Sequence, residues 1–274
     1  MLMLRNLALA LTVAAVPLSG ASAQTSAGNT VAQNYSPSVG QEGKDVVWVP
    51  TPQALVDRML AMGNVSANDY VIDLGSGDGR TVISVAKLGA RAHGIEYNPK
   101  LVELSKRNAE EAGVADRATF AEADIFESDF SQASVITLFL LTDLNIRLRP
   151  TLLEMKPGTR VLSNTFNMGD WEPDDVVDAG GNCESWCRAY KWVVPAKVEG
   201  EWKTPNGTLT LTQTYQMLSG TLTSDGVTHN LSDAKMDGTN ITFKAGGKVY
   251  TGRLADNSFD GTTDDGSRWK ADKS

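Results

Sequence analysis

The chain has 274 residues, of which 41% are hydrophobic, and its formal net charge at pH 7 is −8. This composition supports a large hydrophobic core and excludes an intrinsically disordered chain. The acidic balance disfavours a broad nucleic-acid surface, because phosphate binding draws on clustered Lys and Arg, and it favours a cationic partner.

The first residues of the chain, 1–23, predict a secretory signal peptide. Arg5 is the only charged side chain there, residues 7–16 form an apolar run, and Ala21-Ser22-Ala23 fits an A-x-A cleavage site. The alternative, an uncleaved membrane anchor, would need a longer apolar run. The pattern predicts an exported protein, periplasmic or secreted, with no membrane span after cleavage. Residues 24–44, rich in Ser, Ala, Asn and Gly, predict a flexible linker.

A predicted helix and strand then lead into a glycine-rich loop. Apolar residues recur at helical spacing over residues 52–62, and Pro52 suits the first turn of a helix. Residues 70–74 form an apolar run typical of a buried parallel strand. Gly75-Ser76-Gly77-Asp78-Gly79 follows, and helical spacing resumes at residue 82. The amides of this loop and the N-terminus of the helix would therefore face a bound ligand.

The residues around this loop indicate which cofactor binds. Glu96 ends a second predicted strand, residues 90–95, where a carboxylate can accept both hydroxyls of a ribose. The G-x-G-x-G spacing differs from the dinucleotide fingerprint G-x-G-x-x-G, because Arg80 takes the sixth position. Asp73 and Asp78 would repel a pyrophosphate but attract an ammonium or sulfonium group. The pattern disfavours NAD and favours S-adenosylmethionine.

Strands and helices continue to alternate as far as residue 165. The further predicted elements are helices at 99–112 and 144–155 and strands at 118–121, 134–140, 160–165 and 190–194. Pro150 should kink or split the second of these helices. Repeated strand-helix units predict an α/β fold with a doubly wound, mostly parallel sheet that binds its ligand at the carboxyl edge. The last strand would close the sheet as a late hairpin.

From residue 197 onward the composition changes to Thr, Gly and Asp with alternating apolar residues, typical of short antiparallel strands. Turn signals such as Asn206-Gly207 and Asp225-Gly226 separate them. Residues 196–274 therefore predict a small β-sandwich or partial barrel, which either caps the sheet or recognises a target. Four aromatic residues belong to its core in the first case and to a binding face in the second: Trp202, Tyr215, Tyr250 and Trp269.

The two cysteines of the chain, Cys183 and Cys187, predict a disulfide, as expected in an exported protein. We predict no metal site, because only His93 and His229 could assist the cysteines and neither is near them in sequence. His93, on the second predicted strand, is interpreted as structural.

Residues 47–196 resemble the class I S-adenosylmethionine-dependent methyltransferases, which have a Rossmann-like sheet. The resemblance rests on Asp73 before G-x-G-x-G, on Glu96 and on Ala123-Asp124-Ile125-Phe126 after the third strand. It implies that the loop backbone approaches the cofactor, Asp73 takes the amino-acid end, Glu96 the ribose, and Asp124 and Ile125 flank the adenine. The full set of implied cofactor residues is Thr51, Asp73, Gly75, Ser76, Gly77, Asp78, Gly79, Glu96, Tyr97, Asp124 and Ile125. Thr51 resembles a position at the amino-acid end, and its alternative is a helix N-cap.

A closer likeness points to lysine as the methyl acceptor. It is carried by Trp48-Val49-Pro50-Thr51-Pro52, by Leu138-Phe139-Leu140-Leu141, by residues 156–163 and by Gly169-Asp170-Trp171. These segments look like the small lysine methyltransferases of mitochondrial inner-membrane proteins and, more distantly, like the non-SET histone lysine methyltransferases. The likeness implies a methyltransferase domain at residues 45–195 and a protein lysine substrate by analogy.

Two features past the fourth strand bear on the acceptor. Asn145 lies where class I enzymes often place substrate-facing groups, whereas Asp143 is interpreted as a helix cap. The segment lacks the D-P-P-Y type sequence of amino-directed DNA methyltransferases, which further disfavours a DNA substrate.

Three functions stay open: a protein lysine methyltransferase, a small-molecule methyltransferase and a non-catalytic protein that binds S-adenosylmethionine. The third gains weight because an exported compartment is not an obvious source of this cofactor. Neither a catalytic proton acceptor nor an oligomeric state follows from the sequence.

Overall fold

The computed structural model describes residues 35–181 and 183–274. The predicted signal peptide and residues 24–34 of the predicted linker lie outside these ranges. Within them the chain forms four helices: α1 Gln53–Met62, α2 Arg80–Lys87, α3 Pro99–Glu111 and α4 Thr142–Leu153. None of these helices is long and apolar enough to cross a membrane.

The first sheet has seven strands in the order β3-β2-β1-β4-β5-β7-β6. Its strands are β1 Tyr70–Leu74, β2 Arg91–Glu96, β3 Ala118–Glu122, β4 Val135–Leu138, β5 Arg160–Asn164, β6 Asp175–Asp178 and β7 Arg188–Val193. Neighbours among β1 to β5 pair in parallel, and β7 runs antiparallel to both β5 and β6. This is the predicted doubly wound, mostly parallel sheet, and the predicted late strand lies in it as β7.

Strand β6 has no counterpart among the predicted elements. Its four residues, Asp-Val-Val-Asp, are mostly exposed at the edge of the sheet. An edge strand with little buried surface carries neither a continuous apolar run nor a clear alternation, so its sequence has no strand signal.

The core occupies both faces of this sheet. Leu55, Val56, Met59 and Leu60 of α1 are buried, and their spacing places them on one side of the helix. Successive residues of a strand point to opposite faces: Val71 packs in the cluster that includes α1, whereas Ile72 and Leu74 pack in the cluster that includes Leu148 and Leu152 of α4. Each large apolar side chain buried in this way contributes about 1.5–3 kcal/mol.

Helix α4 begins two residues before the predicted one and is not split. Pro150 lies inside it, and Leu141 is its N-cap, so Asp143 stands in the first turn and does not cap the helix. Proline removes the hydrogen bond that residue 150 would donate to residue 146, and its ring crowds the carbonyl of residue 146. Burial of Leu148 and Leu152 on either side of Pro150 keeps the helix continuous.

The second sheet is antiparallel and closes on itself. Its strands are β8 Gly200–Thr204, β9 Gly207–Thr214, β10 Met217–Ser224, β11 Val227–Asn230, β12 Ser232–Asp237, β13 Asn240–Ala245, β14 Lys248–Ala255, β15 Ser258–Thr263 and β16 Arg268–Lys273. The order is β11-β10-β12-β13-β14-β15-β16-β8-β9, and β9 also pairs with β10. The prediction left a sandwich and a partial barrel open, and the strands form a barrel, with β11 attached outside the ring on β10.

Three of the four aromatic residues named for the barrel pack in its core, whereas Tyr215 packs against Trp171 outside it. Trp202 is fully buried, and Tyr250 and Trp269 pack on the same cluster of apolar side chains. Ring centroids lie 4.5 Å apart for Trp202 and Phe259 and 4.6 Å apart for Phe243 and Tyr250. These distances are those of stabilising aromatic pairs, which supports the capping interpretation over a binding face.

Residues 35–274 form one compact unit, in which Trp171 joins the two sheets. Its indole is fully buried, its Nε1 donates to Gln216 Oε1 at 2.9 Å, and its ring stacks on Tyr215 with centroids 5.9 Å apart. Gln216 Nε2 donates in turn to the Glu172 carbonyl at 2.8 Å. The turn between β9 and β10 is therefore packed against the segment that follows β5.

Candidate functional site

A cleft with a volume of about 400 Å³ opens at the carboxyl edge of β1, β2 and β4. This volume is typical of a site for a small ligand, and the position, where the strand order reverses beside β1, is where open α/β sheets bind ligands. Ten of the eleven residues that the sequence assigns to the cofactor line the cleft: Thr51, Asp73, Gly75, Ser76, Gly77, Asp78, Glu96, Tyr97, Asp124 and Ile125. Gly79 does not line it.

The glycine loop needs its glycines for two different reasons. At Gly77, where φ is 54°, an added Cβ would lie 2.7 Å from Nε1 of Trp48, which packs over the loop. At Gly79, where φ is 81°, an added Cβ would lie 2.8 Å from the Phe120 ring on β3. Gly79 therefore lets the loop pack against the sheet at the start of α2, and this supporting role explains its position outside the cleft lining.

Glu96 is fixed by two backbone amides at the end of β2. Its Oε2 accepts a hydrogen bond from the Gly77 amide at 3.0 Å, and its Oε1 accepts one from the Asn98 amide at 2.9 Å. Asn98 is itself held as the N-cap of α3, where its side chain accepts from the Lys100 amide at 3.0 Å. A carboxylate oxygen accepts more than one hydrogen bond, so Glu96 keeps acceptor capacity toward the cleft.

Among the acids of the cleft, Asp73 has the pKa that departs most from its ordinary value. Only 6% of it is exposed, and Oδ1 accepts a hydrogen bond of 2.6 Å from the hydroxyl of Thr137, its partner on β4. Burial raises the pKa of Asp73 to about 7; the Thr137 hydrogen bond acts in the opposite direction, and the charges of Glu96 and Asp78 add to the rise. A cation bound beside Asp73 would favour its carboxylate form.

Asp78 and Thr51 are linked by Arg80. The Arg80 guanidinium pairs with both carboxylate oxygens of Asp78, with Nη2 to Oδ2 at 2.6 Å, and its Nη1 donates to the Thr51 carbonyl at 2.8 Å. The Thr51 hydroxyl accepts from Asn164 Nδ2 at 3.1 Å and can still donate its own proton. Pro52 is the N-cap of α1, so the alternative assignment of Thr51 as a helix cap is wrong.

Lys44 pairs with Asp124 at the other side of the loop. This hydrogen bond lowers the pKa of Asp124, and a further one from the Phe126 amide acts in the same direction. The Lys44 ammonium also lies 4.8 Å from the ring centroid of Tyr97, a favourable cation–π distance.

More acidic than basic side chains line the cleft. It has six carboxylates and two cationic side chains: Glu42, Asp45, Asp73, Asp78, Glu96 and Asp124 against Lys44 and Arg80. Both cations are paired with acids, and in the part of the chain that the structure describes no ion pair neutralises Asp73 or Glu96. The surplus of negative charge favours a cationic ligand over a pyrophosphate.

The segment before α1 covers the cleft. Residues 41–51 line it, and a hydrogen bond of 2.9 Å from the Trp48 amide to the Gln41 carbonyl holds this strap in place. The sequence analysis assigned residues 41–44 to a flexible linker, and in the structure these residues line the cleft. Lys44 pairs with Asp124, which is so distant in sequence that no local pattern could indicate the contact.

Three aromatic rings close the far end of the cleft. Phe139 follows β4, Phe166 follows β5 and Trp186 precedes β7, and their ring centroids lie 5.7–6.1 Å apart. Phe139 belongs to a segment that carries the family resemblance, but no local signal marked Phe166 or Trp186. The expectation that Asn145 faces a substrate was wrong: Asn145 is fully buried, and its amide donates to the carbonyl of Phe166 at 3.1 Å.

The remaining predicted residues lie as follows. Cys183 and Cys187 form the predicted disulfide, with their Cα atoms 5.8 Å apart. His93 Nδ1 lies 2.8 Å from Thr119 Oγ1, and burial lowers the pKa of the imidazole, which agrees with a structural role. The ranges 35–181 and 183–274 hold no group of three or more His, Cys, Asp or Glu side chains arranged to bind a metal ion.

Comparison with known proteins places the cleft in a family. A family model described as the ANTKMT methyltransferase domain matches residues 73–175. A protein-lysine N-methyltransferase of Saccharolobus islandicus is 44% identical over 135 residues, which cover 48% of this chain and 84% of that protein. An ATP synthase lysine N-methyltransferase of Mus musculus is 39% identical over 134 residues, and its counterpart in Homo sapiens is 38% identical. The chain spans only 54% and 57% of these two mammalian proteins.

A solved structure supports the same conclusion about the cofactor. It is described as an RNA methyltransferase from Salinibacter ruber in complex with S-adenosyl-L-homocysteine, and it is 47% identical, with a TM-score of 0.51. The match covers 55% of this chain and 96% of that one. S-adenosyl-L-homocysteine is the product that S-adenosylmethionine leaves after methyl transfer, so the predicted cofactor is confirmed. The chain therefore belongs to the class I S-adenosylmethionine-dependent methyltransferases, in the family related to the ATP synthase lysine methyltransferases.

Proposed function

We propose that this methyltransferase transfers the methyl group to the side-chain amine of a protein lysine. The observation that carries the proposal is that one cleft joins two chemically different ends. Asp73 and Glu96 supply unneutralised negative charge at one end, and Phe139, Phe166 and Trp186 supply an apolar wall at the other. A cationic cofactor suits the first end, and an acceptor with a long aliphatic stem suits the second. The lysine methyltransferases among the relatives support the same acceptor.

In this proposal, the residues of the acidic end contact different parts of the cofactor. Asp73 and Thr51 take the amino-acid end, where a carboxylate and a hydroxyl suit an ammonium and a carboxylate. Glu96 accepts the ribose hydroxyls, and Asp124 and Ile125 flank the adenine. The backbone of Gly75, Ser76 and Gly77 approaches the cofactor closely. Asp78 and Tyr97 lie next to the cofactor site. Gly79 supports the loop from behind.

When bound, S-adenosylmethionine would supply a methyl group activated by its sulfonium, and S-adenosyl-L-homocysteine would be the leaving group as an amine accepts that methyl group in line. The chain's own contribution is orientation and exclusion of water, and no protein nucleophile is required. Trp48 and the strap at residues 41–51 cover the acidic end of the cleft. The displacement needs the neutral amine, so an entering ammonium releases its proton to water at the mouth of the cleft before the methyl group is transferred.

We further propose that the protein is exported. The signal pattern over residues 1–23 supports export, and so does the Cys183–Cys187 disulfide, because disulfides persist in oxidising compartments. The intact mass of the mature chain tests this proposal. A mass that begins after Ala23 is expected, and a soluble cytoplasmic chain that retains Met1 would contradict export.

Nucleic acid is excluded as the acceptor in this proposal. The net charge of −8 and the acidic cleft support the exclusion. Because the related Salinibacter ruber protein is described as an RNA methyltransferase, total RNA belongs among the acceptors that are assayed.

Calorimetry and a radiolabelled methyl-transfer assay together test the function. We expect the wild type to bind S-adenosylmethionine and to label envelope proteins, with the label recovered as methyl-lysine after hydrolysis. Glu96→Ala should lose cofactor affinity, whereas Glu103→Ala, an exposed carboxylate on α3, serves as the matched control. Label that enters only RNA or only small molecules would overturn the lysine acceptor. Cofactor binding without transfer to any acceptor would instead establish a non-catalytic binding protein.

A further inference from the structure

A short disulfide-closed loop presents Trp186 to the cleft. Cys183 and Cys187 are four residues apart, so their bond closes a small ring directly before β7. Trp186 lies inside this ring with φ at 58°, a left-handed conformation that is uncommon for a bulky side chain. It is 40% exposed, although it lines the cleft and contacts two other rings. The disulfide encloses this residue in the ring.

The other two rings of the wall stand on rigid backbone. The carbonyl of Phe166 accepts hydrogen bonds from Ser163 Oγ at 2.7 Å and from Asn145 Nδ2 at 3.1 Å. Phe139 directly follows β4, whose residues are all buried. Trp186 is held differently, because its loop is tied by the disulfide and by the hydrogen bond from the Ala179 amide to the Cys187 carbonyl at 2.6 Å. Of the three rings, the position of Trp186 depends most directly on a covalent cross-link.

The wall and the cofactor residues lie at different positions along the same edge of the sheet. The strand order places β5 and β7 on the far side of β4 from β1 and β2, which carry Asp73, the glycine loop and Glu96. A ligand bound along the ends of β1 and β2 would therefore leave the wall free for a second molecule. The wall is apolar, so it suits methylene groups, and one indole face can cover much of a lysine stem.

We propose that Trp186 forms one wall of the subsite for the acceptor side chain, and that the Cys183–Cys187 disulfide is a positioning element that holds it there. The inference rests on the proposed lysine methyltransferase function. It names Trp186 as a residue that recognises the acceptor side chain at that site. Binding of the acceptor depends on the disulfide, whereas binding of S-adenosylmethionine does not. The acceptor class is a primary amine at the end of an aliphatic stem.

Kinetics on four variants and the wild type test the inference. The acceptor probes are the peptide acetyl-Ala-Ala-Lys-Ala-Ala-amide and a detergent extract of envelope proteins. Trp186→Ala should raise the acceptor KM about tenfold, as expected for loss of one large apolar contact, and should leave the Kd for S-adenosylmethionine within about twofold. Trp186→Phe should restore most of the loss. Val227→Ala, an exposed apolar residue of the barrel, is the control.

The double variant Cys183→Ala/Cys187→Ala tests the positioning role, because it keeps Trp186 but opens the ring. It should raise the acceptor KM in the same direction as Trp186→Ala, with the Kd for S-adenosylmethionine unchanged. The wild type reduced with tris(2-carboxyethyl)phosphine provides a second measurement of the open ring, should the double variant fail to fold. Circular dichroism checks that each protein is folded.

The outcomes separate this inference from the function on which it rests. A wild type that methylates lysine while Trp186→Ala keeps its acceptor KM overturns the subsite and leaves the proposed function standing. Equal losses of acceptor and cofactor binding in Trp186→Ala would show a general effect on the fold and also overturn it. A wild type that methylates no lysine in either probe overturns the proposed function, and the subsite with it.

Discussion

Replacement of Asp73 by Asn should stabilise the ligand-free protein at pH 8 and weaken its binding of S-adenosylmethionine. Asn has almost the same shape as Asp, and its Oδ1 can still accept the hydrogen bond from Thr137 that the structure places at 2.6 Å. The substitution therefore removes the negative charge while it keeps the packing and the hydrogen bond. In the wild type that charge is buried and has no cationic partner among the residues of the described ranges.

The magnitude follows from the pKa of Asp73, which burial raises from 3.8 to about 7 in the folded protein. Between these two pH values the folded protein holds a proton that the unfolded chain has released, so the free energy of unfolding falls as the pH rises. Each pKa unit corresponds to about 1.4 kcal/mol, so the loss across the window reaches about 4 kcal/mol. Water in the adjoining cleft screens part of this cost, and we expect about 2–4 kcal/mol.

Urea unfolding, followed by tryptophan fluorescence without ligand, measures this effect at pH 5 and pH 8. All other titrating groups are common to both proteins, so the difference between Asp73→Asn and the wild type isolates Asp73. Only about two pKa units of the window lie above pH 5, so this difference should grow from pH 5 to pH 8 by at most about 3 kcal/mol. Asp116→Asn, which changes an exposed carboxylate remote from the cleft, should show no such growth. Calorimetry at pH 8 should show that Asp73→Asn binds S-adenosylmethionine about 10- to 100-fold more weakly, since a charged hydrogen-bond acceptor is lost.

Parallel stability curves for the wild type and Asp73→Asn from pH 5 to pH 8 would refute the reasoning about the buried charge. Unchanged affinity for S-adenosylmethionine in Asp73→Asn would separately refute the placement of Asp73 at the cationic part of the cofactor.

Three further predictions concern the loop, the strap and the joint between the sheets. Gly79→Ala should destabilise the protein by more than about 1–2 kcal/mol in thermal unfolding, because φ is 81° and the new Cβ would lie 2.8 Å from Phe120; an unchanged melting temperature would contradict this. Lys44→Ala should raise the pKa of Asp124 toward its ordinary value, so that Asp124 loses its charge at a higher pH than in the wild type; a carboxyl NMR titration measures the change. Gln216→Ala should cost about 1–3 kcal/mol in urea unfolding, because the buried Trp171 Nε1 loses its acceptor, and a loss no larger than that of the exposed Val227→Ala would refute the role of this contact.

The acidic end of the cleft could be predicted from local patterns. Residues 70–74, the glycine loop and the start of α2 are contiguous in the chain. The first is marked by an apolar run, the second by turn residues and the third by helical spacing. Glu96 and Asp124 follow other strands, but the carboxyl ends of parallel strands meet at one edge of a sheet. A correct assignment of strands is therefore enough to place these distant residues at one site.

The strap and the edge strand β6 could not be predicted in this way. Lys44 belongs to a polar stretch that resembles a linker, and it forms an ion pair with Asp124, a residue far along the chain. Strand β6 forms because β7 offers it an edge to pair with, although its own sequence is short and mostly exposed. In both cases the contact is made with another segment of the chain, and a local sequence pattern gives no information about that contact.

The sequence by itself determined the class of the protein, because the spacing of the glycines and the acids after β1, β2 and β3 specifies both the sheet edge and a cationic nucleotide-type cofactor. Only the tertiary structure decided the aromatic end of the cleft, where Phe139, Phe166 and Trp186 come from three separate connections and meet across the strand ends. The pKa of Asp73 is likewise a property of the folded protein, because its rise comes mainly from burial. Cofactor signals are local in sequence, whereas burial and aromatic contacts arise only when distant segments pack.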